Sequence, residues 1–351
     1  MYQQRVKEAI EAIKKGEMII IMDDEDRENE GDLVMAGIFS SPQKINFMAQ
    51  EARGLICVSI TQDIAKKLDL PPMVQKNDSN HETAFTISID AKEAKTGISA
   101  YERDLTIRLM CDSNTKPSDF VRPGHIFPLI AKEGGVLVRT GHTEASVDIC
   151  KLAGVAPISV ICEIMKKDGT MAGRGDKFLL DFAKAHDMKI LYVSDIIQYR
   201  LNFENLLSER SREKAVFMGQ KCEKITFIDH LEREHTAFSF TVSSQNKPLV
   251  RFHNVRSDVE LLQNAEEWNA LSRSVEYLTQ KGGYLIVLNT QALSASAARI
   301  CGDMKDFGIG AQILKRLGVE DFSLLSSCGT NRGEYNALSG FNLHLVETIE
   351  V

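Results

Sequence analysis

The sequence predicts an α+β protein whose amino-terminal domain holds a mixed β-sheet with flanking helices. Two observations predict this class. Short β-branched and apolar runs, such as residues 18–22, are typical of buried strands. Other segments, such as residues 177–186, are predicted to be helical. Because strands and helices are interspersed along the chain, the helices are expected to pack against the sheet.

The elements can be placed in order along the chain. Val6, Ala9, Ile10 and Ile13 recur at helical spacing, which predicts an opening helix that ends at Gly16. The strand at 18–22 follows it. Further strands are predicted at 55–60, 84–89, 104–109 and 135–139, and further helices at 42–51, 144–153 and 177–186.

The length of 351 residues exceeds what one compact core accommodates and suggests more than one domain. Seven of the eight prolines lie within residues 1–157, so the two halves differ in composition. The charged stretch 208–214 is interpreted as a solvated connector. We therefore place the boundary near residues 200–206 and predict domains at 1–203 and 204–351.

Charge and cysteine content exclude several classes of protein. A net charge of −7 argues against a nucleic-acid or anionic-membrane binder, because phosphate neutralisation needs clustered cations. The seven cysteines are widely spaced and include no C-x-x-C pair, which favours reduced thiols. With neither a signal-peptide pattern nor a membrane-spanning run, we expect a soluble cytoplasmic protein.

The segment from Asp23 to Asp32 is the densest cluster of charge, with seven acidic residues among ten. It is either a solvated turn or a site that metal ions or a substrate neutralise. An EF-hand does not fit, because Asn29 and Met35 occupy positions that need Gly and Glu. Apolar runs on both sides hold the loop at its two ends, which favours a site.

Residues 139–144 form a second candidate site between a predicted strand and a predicted helix. Thr143 suits the N-cap, and such a helix start, together with Arg139, could bind phosphate. The alternative is a purely structural cap. An imidazole from His142 beside the acidic loop would make a mixed site for Mg²⁺ or Mn²⁺.

Two further titratable residues stand out. His125 lies in a predicted stiff loop bracketed by proline and glycine and is either a surface or packed residue or a functional one. Glu163 interrupts the apolar run 158–165. Since burying an unpaired carboxylate is expensive, Glu163 is either paired or catalytic.

Six specific sequence motifs follow one another within residues 23–172. They are DDEDRENEGDLVMAG, ARGLICVSI, TAFTISIDA, RPGHIFPL, GGVLVRTGHTEASVDICKLAG and ICEIMKKDGTMA. In this order they resemble 3,4-dihydroxy-2-butanone 4-phosphate synthase of riboflavin biosynthesis, and the resemblance covers residues 3–200. It implies a lyase that converts D-ribulose 5-phosphate to L-3,4-dihydroxybutan-2-one 4-phosphate and formate, using two Mg²⁺ or Mn²⁺ ions per site.

The resemblance also implies roles for individual residues. Glu28 and His142 would bind metal, and His125, Glu163 and Asp32 would serve the chemistry. The residues implied to contact substrate are Arg27, Glu28, Asp32, Arg139, Thr140, Gly141, His142, Thr143 and Glu163. Members of this family act as homodimers with active sites at the subunit contact, so some of these residues are expected to act across chains.

The second half resembles a different family. Residues 307–319 and the strand-like run 322–325 resemble the end of GTP cyclohydrolase II, which implies a second α/β domain. The stretch 251–253 resembles the sequence that leads into the zinc site of that family. However, no cysteine occurs between Cys222 and Cys301, and residues 289–294 lack the glycines and arginine of the phosphate-binding loop.

These departures predict a degenerate domain that serves packing, stability or regulation and holds no zinc. His253, Cys301 and Cys328 remain as possible ligands, with a spacing that does not match the motif. Two alternatives stay open at this point. One is a bifunctional enzyme that also hydrolyses GTP with an atypical metal site, and the other is a regulatory protein whose acidic loop senses metal.

Overall fold

The computed structural model describes residues 2–25, 27–81, 83–241, 247–289, 304–326 and 343–351, with the backbone alone at 304–307. Contacts within the chain divide it into two compact units, Met1–Tyr199 (unit 1) and Arg200–Val351 (unit 2). The predicted domains, residues 1–203 and 204–351, stay a prediction. None of the described helices is long and apolar enough to cross a membrane.

Unit 1 contains a seven-stranded sheet with helices packed against it. Its strands are β1 (Ile19–Met22), β2 (Gly31–Ala36), β3 (Cys57–Ile60), β4 (Ile89–Ala91), β5 (Phe120–Ile130), β6 (Ile158–Glu163) and β7 (Lys189–Tyr192). The strand order is β4-β5-β3-β6-β2-β1-β7. The pairs β1–β7 and β3–β5 are parallel and the other pairs are antiparallel, which confirms the predicted mixed sheet.

The helices of unit 1 follow the hydrophobic pattern of the sequence. They are α1 (Tyr2–Lys14), α2 (Pro42–Phe47), α3 (Gln62–Lys67), α4 (Ala100–Cys111), α5 (His142–Leu152), α6 (Lys177–Ala185) and α7 (Val193–Phe203), which runs into unit 2. All residues of β1, β2 and β3 are buried, as expected for strands covered on both faces. The core lies between this sheet and the apolar faces of the helices.

Unit 2 contains a second seven-stranded sheet, in the order β14-β13-β11-β12-β10-β9-β8. Its strands are β8 (Leu207–Phe217), β9 (Gln220–Asp229), β10 (Glu234–Phe240), β11 (Leu249–Asn254), β12 (Gly283–Leu288), β13 (Asp321–Ser326) and β14 (His344–Glu350). Its helices are α8 (Asp258–Gln263), α9 (Ala265–Lys281) and α10 (Met304–Arg316). The strands β11, β12, β13 and β14 pair in parallel, and the rest pair antiparallel.

Several predicted elements differ from the structure. The predicted strand at 104–109 is wrong, because this segment belongs to α4. Ser99 caps this helix by accepting from the N–H of Glu102, and the Glu102 carboxylate accepts from the Ser99 hydroxyl. The pattern S-x-x-E is a helix start signal, and it outweighs the alternating apolar residues that suggested a strand.

The predicted strand at 135–139 is also wrong. A single 3₁₀ turn, Gly135–Leu137, occupies this segment, because Gly134 and Gly135 adopt left-handed φ values of 86° and 62°. The Asp148 carboxylate accepts the N–H of Val136 and lies where a side chain at 135 would be. In addition, α5 begins at His142 with Gly141 as its N-cap, so the predicted Thr143 cap is wrong.

Three further segments need correction. Only Ile89 of the predicted strand 84–89 belongs to a named strand, β4, while Phe85 and Thr86 form isolated bridges. The prediction of a solvated connector at 208–214 is wrong, because this stretch is part of the edge strand β8. Its charged side chains form ion pairs within β8 and with the neighbouring strand β9. His125 lies inside β5 and not in a loop.

Candidate active site

The acidic segment forms a tight loop between two antiparallel strands, β1 and β2. Asp23, which is fully buried, organises the loop by accepting three hydrogen bonds. These come from the N–H groups of Glu28 (3.1 Å) and Glu30 (2.9 Å) and from Nη1 of Arg27 (2.8 Å). The same Nη1 contacts Oε2 of Glu28 at 2.7 Å. The loop therefore presents the Glu28 carboxylate in a fixed position; Asp26 lies outside the described residues.

His142 reaches the acidic loop from the first turn of α5. Its Nδ1 lies 3.5 Å from Oε2 of Glu28, and its Nε2 lies 3.1 Å from the carbonyl oxygen of Glu30 and 3.9 Å from Oδ1 of Asp32. Two segments more than a hundred residues apart thus meet within one chain. His142 and Asp32 are both buried.

Asp32 and Glu163 face one another across β2 and β6, where they are registered partners. Glu163 is fixed by the N–H of Leu55, which donates to its Oε2 at 2.8 Å. Gly54 allows this approach, because a Cβ there would lie 2.4 Å from the Glu163 carbonyl oxygen and 2.6 Å from Oε2. In contrast, Oδ1 of the buried Asp32 has no hydrogen-bond partner in the structure.

The charges of the site shift the pKa values of its members. Burial raises the pKa of Asp32 to about 7, against the attraction of His142 and with the repulsion of Glu163. Burial opposes the charged form of His142, but Asp32 and the hydrogen bond to Glu28 prevail and raise its pKa to about 9. Burial likewise opposes ionisation of Glu28, yet His142 and Arg27 lower its pKa to about 2.

These residues line a cleft of about 380 Å³. The lining comprises Arg27, Glu28, Glu30, Asp32, Cys57, His81, Thr83, Phe85, Leu129, Arg139, His142, Thr143, Ile161 and Glu163. In the described part of the chain, the lining does not include the predicted residues Thr140, Gly141 and His125. Thr140 and Gly141 precede α5 directly, with Gly141 as its N-cap.

His125 lies elsewhere in unit 1. Its Nδ1 and its backbone N–H both contact the carboxylate of Asp90, each at 2.8 Å. Its side chain remains 44% exposed. Ile98, which follows Gly97 beside His125, and Val121, which pairs with Asp90, are exposed apolar side chains.

Seven residues of the lining were not among the predicted site residues, and four of them carry polar or ionisable side chains, namely Glu30, Cys57, His81 and Thr83. Cys57 is a buried thiol whose pKa is raised by burial and by the carboxylates of Glu163 and Asp32. His81 places Nδ1 at 4.0 Å from Oε1 of Glu28. Both Cys57 and Thr83 belong to motif segments of the sequence, which is the signal that could have drawn attention to them.

The donor atoms fit a hard divalent cation. Asp23, Glu28 and His142 offer ligand atoms that all lie within 4.8 Å of one another, and carboxylate oxygen with imidazole nitrogen suits Mg²⁺ or Mn²⁺. Because the Asp23 oxygens already accept three hydrogen bonds, Glu28 and His142 are the better candidates to bind an ion. The unpartnered Oδ1 of Asp32 also faces this group.

Comparisons with known proteins agree with this arrangement. The family described as 3,4-dihydroxy-2-butanone 4-phosphate synthase matches residues 7–199, and the GTP cyclohydrolase II family matches residues 293–350. A curated 3,4-dihydroxy-2-butanone 4-phosphate synthase from Helicobacter hepaticus is 83% identical, and the match covers 100% of each chain.

Solved structures are similar as well. The crystal structure of RibBX, a two-domain 3,4-dihydroxy-2-butanone 4-phosphate synthase from A. baumannii, is 38% identical with a TM-score of 0.83, covering 99% of this chain and 100% of that one. A 3,4-dihydroxy-2-butanone 4-phosphate synthase in complex with two magnesium ions is 38% identical with a TM-score of 0.53, covering 57% and 97%. The chain therefore belongs to the 3,4-dihydroxy-2-butanone 4-phosphate synthase family.

Proposed function

We propose that the chain is a lyase of riboflavin biosynthesis that converts D-ribulose 5-phosphate to L-3,4-dihydroxybutan-2-one 4-phosphate and formate. The observation that carries this proposal is the meeting of Glu28, Asp32, His142 and Glu163 in one cleft of a family member. A site of this kind supplies both acids and bases, which the reaction needs because its steps move protons between carbon and oxygen.

Glu28 and His142 would hold the Mg²⁺ or Mn²⁺ ions. A divalent ion that chelates neighbouring oxygens of a ketose stabilises the negative charge that develops beside the carbonyl. Arg27 holds the Glu28 carboxylate in place. His142 must give up its proton to become a ligand, so ion binding would release a proton from this buried imidazole.

Asp32 and Glu163 are proposed as acid–base residues and Asp32 also as the partner of a substrate hydroxyl. A pKa near 7 lets Asp32 accept or donate a proton near neutral pH. Arg139 and the start of α5, with residues Thr140, Gly141 and Thr143, would hold the phosphate. The first N–H groups of a helix and a guanidinium together favour an anion.

His125 is proposed to complete the cleft of a second copy in a homodimer. It is half-exposed among exposed apolar side chains, although it is absent from the lining of the cleft in its own chain. Mixing and reassembling Glu163→Gln and His125→Ala chains tests this. Hybrid dimers regain activity if His125 acts across chains, whereas recovery at background level would contradict the proposal.

Unit 2 is proposed to lack GTP cyclohydrolase activity. The family match begins only at residue 293, and the metal-ligand group found among the described residues lies in unit 1. His253 is described, and the two neighbouring cations Arg251 and Arg256 oppose a further cation beside it, while Cys301 and Cys328 lie outside the described residues. Among the described cysteines five are free thiols, in keeping with a cytoplasmic location.

The test is formate release, measured separately from D-ribulose 5-phosphate and from GTP, with metal content determined on the same sample. We expect Mg²⁺-dependent formate from the sugar phosphate, and neither formate from GTP nor stoichiometric zinc. Absence of turnover with the sugar phosphate would overturn the proposed reaction and leave a metal-sensing role. Formate from GTP would restore the bifunctional alternative.

A further inference from the structure

The guanidinium of Arg139 is held from two sides. On one side its Nη1 donates to Oε2 of Glu144 at 2.7 Å. On the other side, the carbonyl oxygen of His81 accepts from Nε (3.3 Å) and Nη2 (2.9 Å), and Oγ1 of Thr83 accepts from Nη2 (3.3 Å). These contacts fix both the position and the plane of the guanidinium at the wall of the cleft.

Glu144 is itself fixed by the fold. It lies in the first turn of α5, its side chain is 1% exposed, and its second carboxylate oxygen accepts the N–H of Lys132 at 3.0 Å. The negative charge is favourable at a helix N-terminus and is neutralised by Arg139. With both oxygens engaged, the carboxylate has little freedom to reorient.

Gly141 leaves the space that this pair needs. A Cβ at this position would lie 2.4 Å from Nη1 of Arg139 and 3.0 Å from Oε2 of Glu144. The N-cap of α5 therefore carries no side chain at the point where the guanidinium and the carboxylate meet. The absence of a side chain here serves the ion pair directly, in addition to exposing the first N–H groups of the helix.

The charge of Glu144 favours the helix start but has a cost for anion binding. A buried carboxylate beside a site for an anion repels that anion, so the charge alone would weaken phosphate binding. The presence of this carboxylate is explained if a defined position of the guanidinium contributes more to phosphate binding than a larger positive charge of the site would. Orientation matters here because the contacts to Glu144, His81 and Thr83 use Nε, Nη2 and one N–H of Nη1, which leaves the other N–H of Nη1 to donate to a phosphate oxygen.

We propose that Glu144 is a positioning residue for the substrate phosphate, acting through Arg139 with Gly141 as the spacer. The inference rests on the proposed function, in which Arg139 binds that phosphate. Glu144 sets the guanidinium against the start of α5, so that the anion meets the arginine and the helix N–H groups together. Loss of this contact weakens binding of the sugar phosphate and leaves the proton transfers unchanged.

Glu144→Gln is the first test, since glutamine keeps an acceptor for the N–H of Lys132 and removes the charged contact to Arg139. We expect KM for D-ribulose 5-phosphate to rise about tenfold while kcat changes less than about twofold, as for the loss of uniform binding. A role through charge alone predicts the opposite, a lower KM, because a negative charge leaves the site. An unchanged or lower KM overturns the proposal.

Gly141→Ala approaches the same contact from its other side and serves if Glu144→Gln does not fold. We expect the same rise in KM, and a KM equal to that of the unaltered enzyme overturns the proposal. Thermal unfolding midpoints of each variant separate lost stability from lost binding.

Arg139→Lys separates this inference from the proposed function. If Arg139→Lys leaves KM unchanged, the phosphate role of Arg139 fails and the inference falls with it. If Arg139→Lys raises KM but Glu144→Gln does not, only the positioning role fails. If both raise KM and the double variant is no worse than Arg139→Lys alone, the two residues act as one unit and the proposal stands.

Discussion

Each of the two units contains a buried histidine beside carboxylates, and the two groups differ in how completely their polar atoms are satisfied. In unit 2, Nε2 of His235 lies 3.1 Å from Oδ2 of Asp229, and its Nδ1 accepts the N–H of Asn289. The Asp229 carboxylate also accepts from the backbone N–H groups of Leu231 and Arg233 and from Nε of Arg233. Both ring nitrogens of His235 and both carboxylate oxygens of Asp229 therefore have a partner.

The group in unit 1 is left incomplete. His142 lies among Glu28, Asp32 and the carbonyl of Glu30, but Oδ1 of the buried Asp32 has no hydrogen-bond partner. Burial, together with the neighbouring carboxylates, keeps the pKa of Asp32 raised. The comparison teaches that a satisfied pair indicates a structural role, whereas an unsatisfied, repulsive one indicates a place where a ligand supplies the missing charge.

The largest expected effect is on catalysis in unit 1. Glu163→Gln keeps the acceptor for Leu55 and removes the proposed acid–base group, so kcat should fall by about 10²- to 10⁴-fold. Formate release measures this. Glu223→Gln, at a partly exposed position of β9 in unit 2, is the matched control, with unchanged turnover expected. Normal turnover of Glu163→Gln would refute the assignment of Glu163.

Mg²⁺ should stabilise the protein through the incomplete group. At a concentration 100 times its Kd, the ion should add about 2.7 kcal/mol to the free energy of unfolding, because it binds the folded chain alone. Calorimetry with EDTA or Mg²⁺ checks this. Glu28→Gln should abolish the difference between the two conditions, and an undiminished difference in that variant would remove Glu28 from the ion site.

Asp229→Asn should destabilise unit 2 by about 1–3 kcal/mol, since it breaks a buried and satisfied network. Burial opposes ionisation of Asp229, but His235 and Arg233 hold its pKa well below its usual range. The stabilisation that the Asp229 carboxylate contributes is therefore complete above about pH 4, the usual pKa of an aspartate. It is lost as the pH falls below this value and through the pKa of Asp229 in the folded state.

Trp268 is the one tryptophan of the chain and lies in α9 of unit 2, so its fluorescence reports on the unfolding of that unit. Urea titrations at pH 7 and pH 3 should show a larger loss of stability for the unaltered protein than for Asp229→Asn. Equal losses in both would show that Asp229 contributes nothing to the pH dependence.

The smallest effect has the opposite sign. Asp32→Asn removes a buried charge that lacks a full set of partners. The free energy of unfolding of the metal-free protein should therefore rise by about 0.5–2 kcal/mol, while activity is lost. Chemical denaturation followed by circular dichroism, with EDTA present, measures the gain. A loss of stability as large as that of Asp229→Asn would abolish the distinction between the two groups.

The sequence could predict the parts that depend on local pattern. The runs of apolar residues predicted β1, β3 and β13, and the helical periodicity predicted α1 and α6, all of which the structure confirms. The meeting of the acidic loop with His142 depends on which strands pair, and periodicity does not encode pairing. The residues alone left that meeting as one possibility, and the motif sequences shared with a family made it a prediction.

The failures have physical causes. Residues 104–109 alternate in polarity like a strand, but they belong to a helix. Asp104 and Thr106 are buried on this helix, and Oγ1 of Thr106 accepts a hydrogen bond from the N–H of Ala91. The charges of β8 suggested a solvated linker because the partners of these charges do not show in the local sequence. Ion pairs such as Arg212–Glu223 form only when β8 and β9 lie side by side. The Arg139–Glu144 contact likewise joins side chains whose directions depend on the turn at Gly141.

The antiparallel register of β2 and β6 has a consequence for the evolution of chain length. Asp32 and Glu163 share a face only because they are opposite partners, and a strand shifted by one position presents its other set of side chains. An insertion or deletion of a single residue within either strand would turn one carboxylate away, whatever the composition of the strand. Homologues are therefore expected to vary in length in the loops around the site while these two strands stay free of gaps.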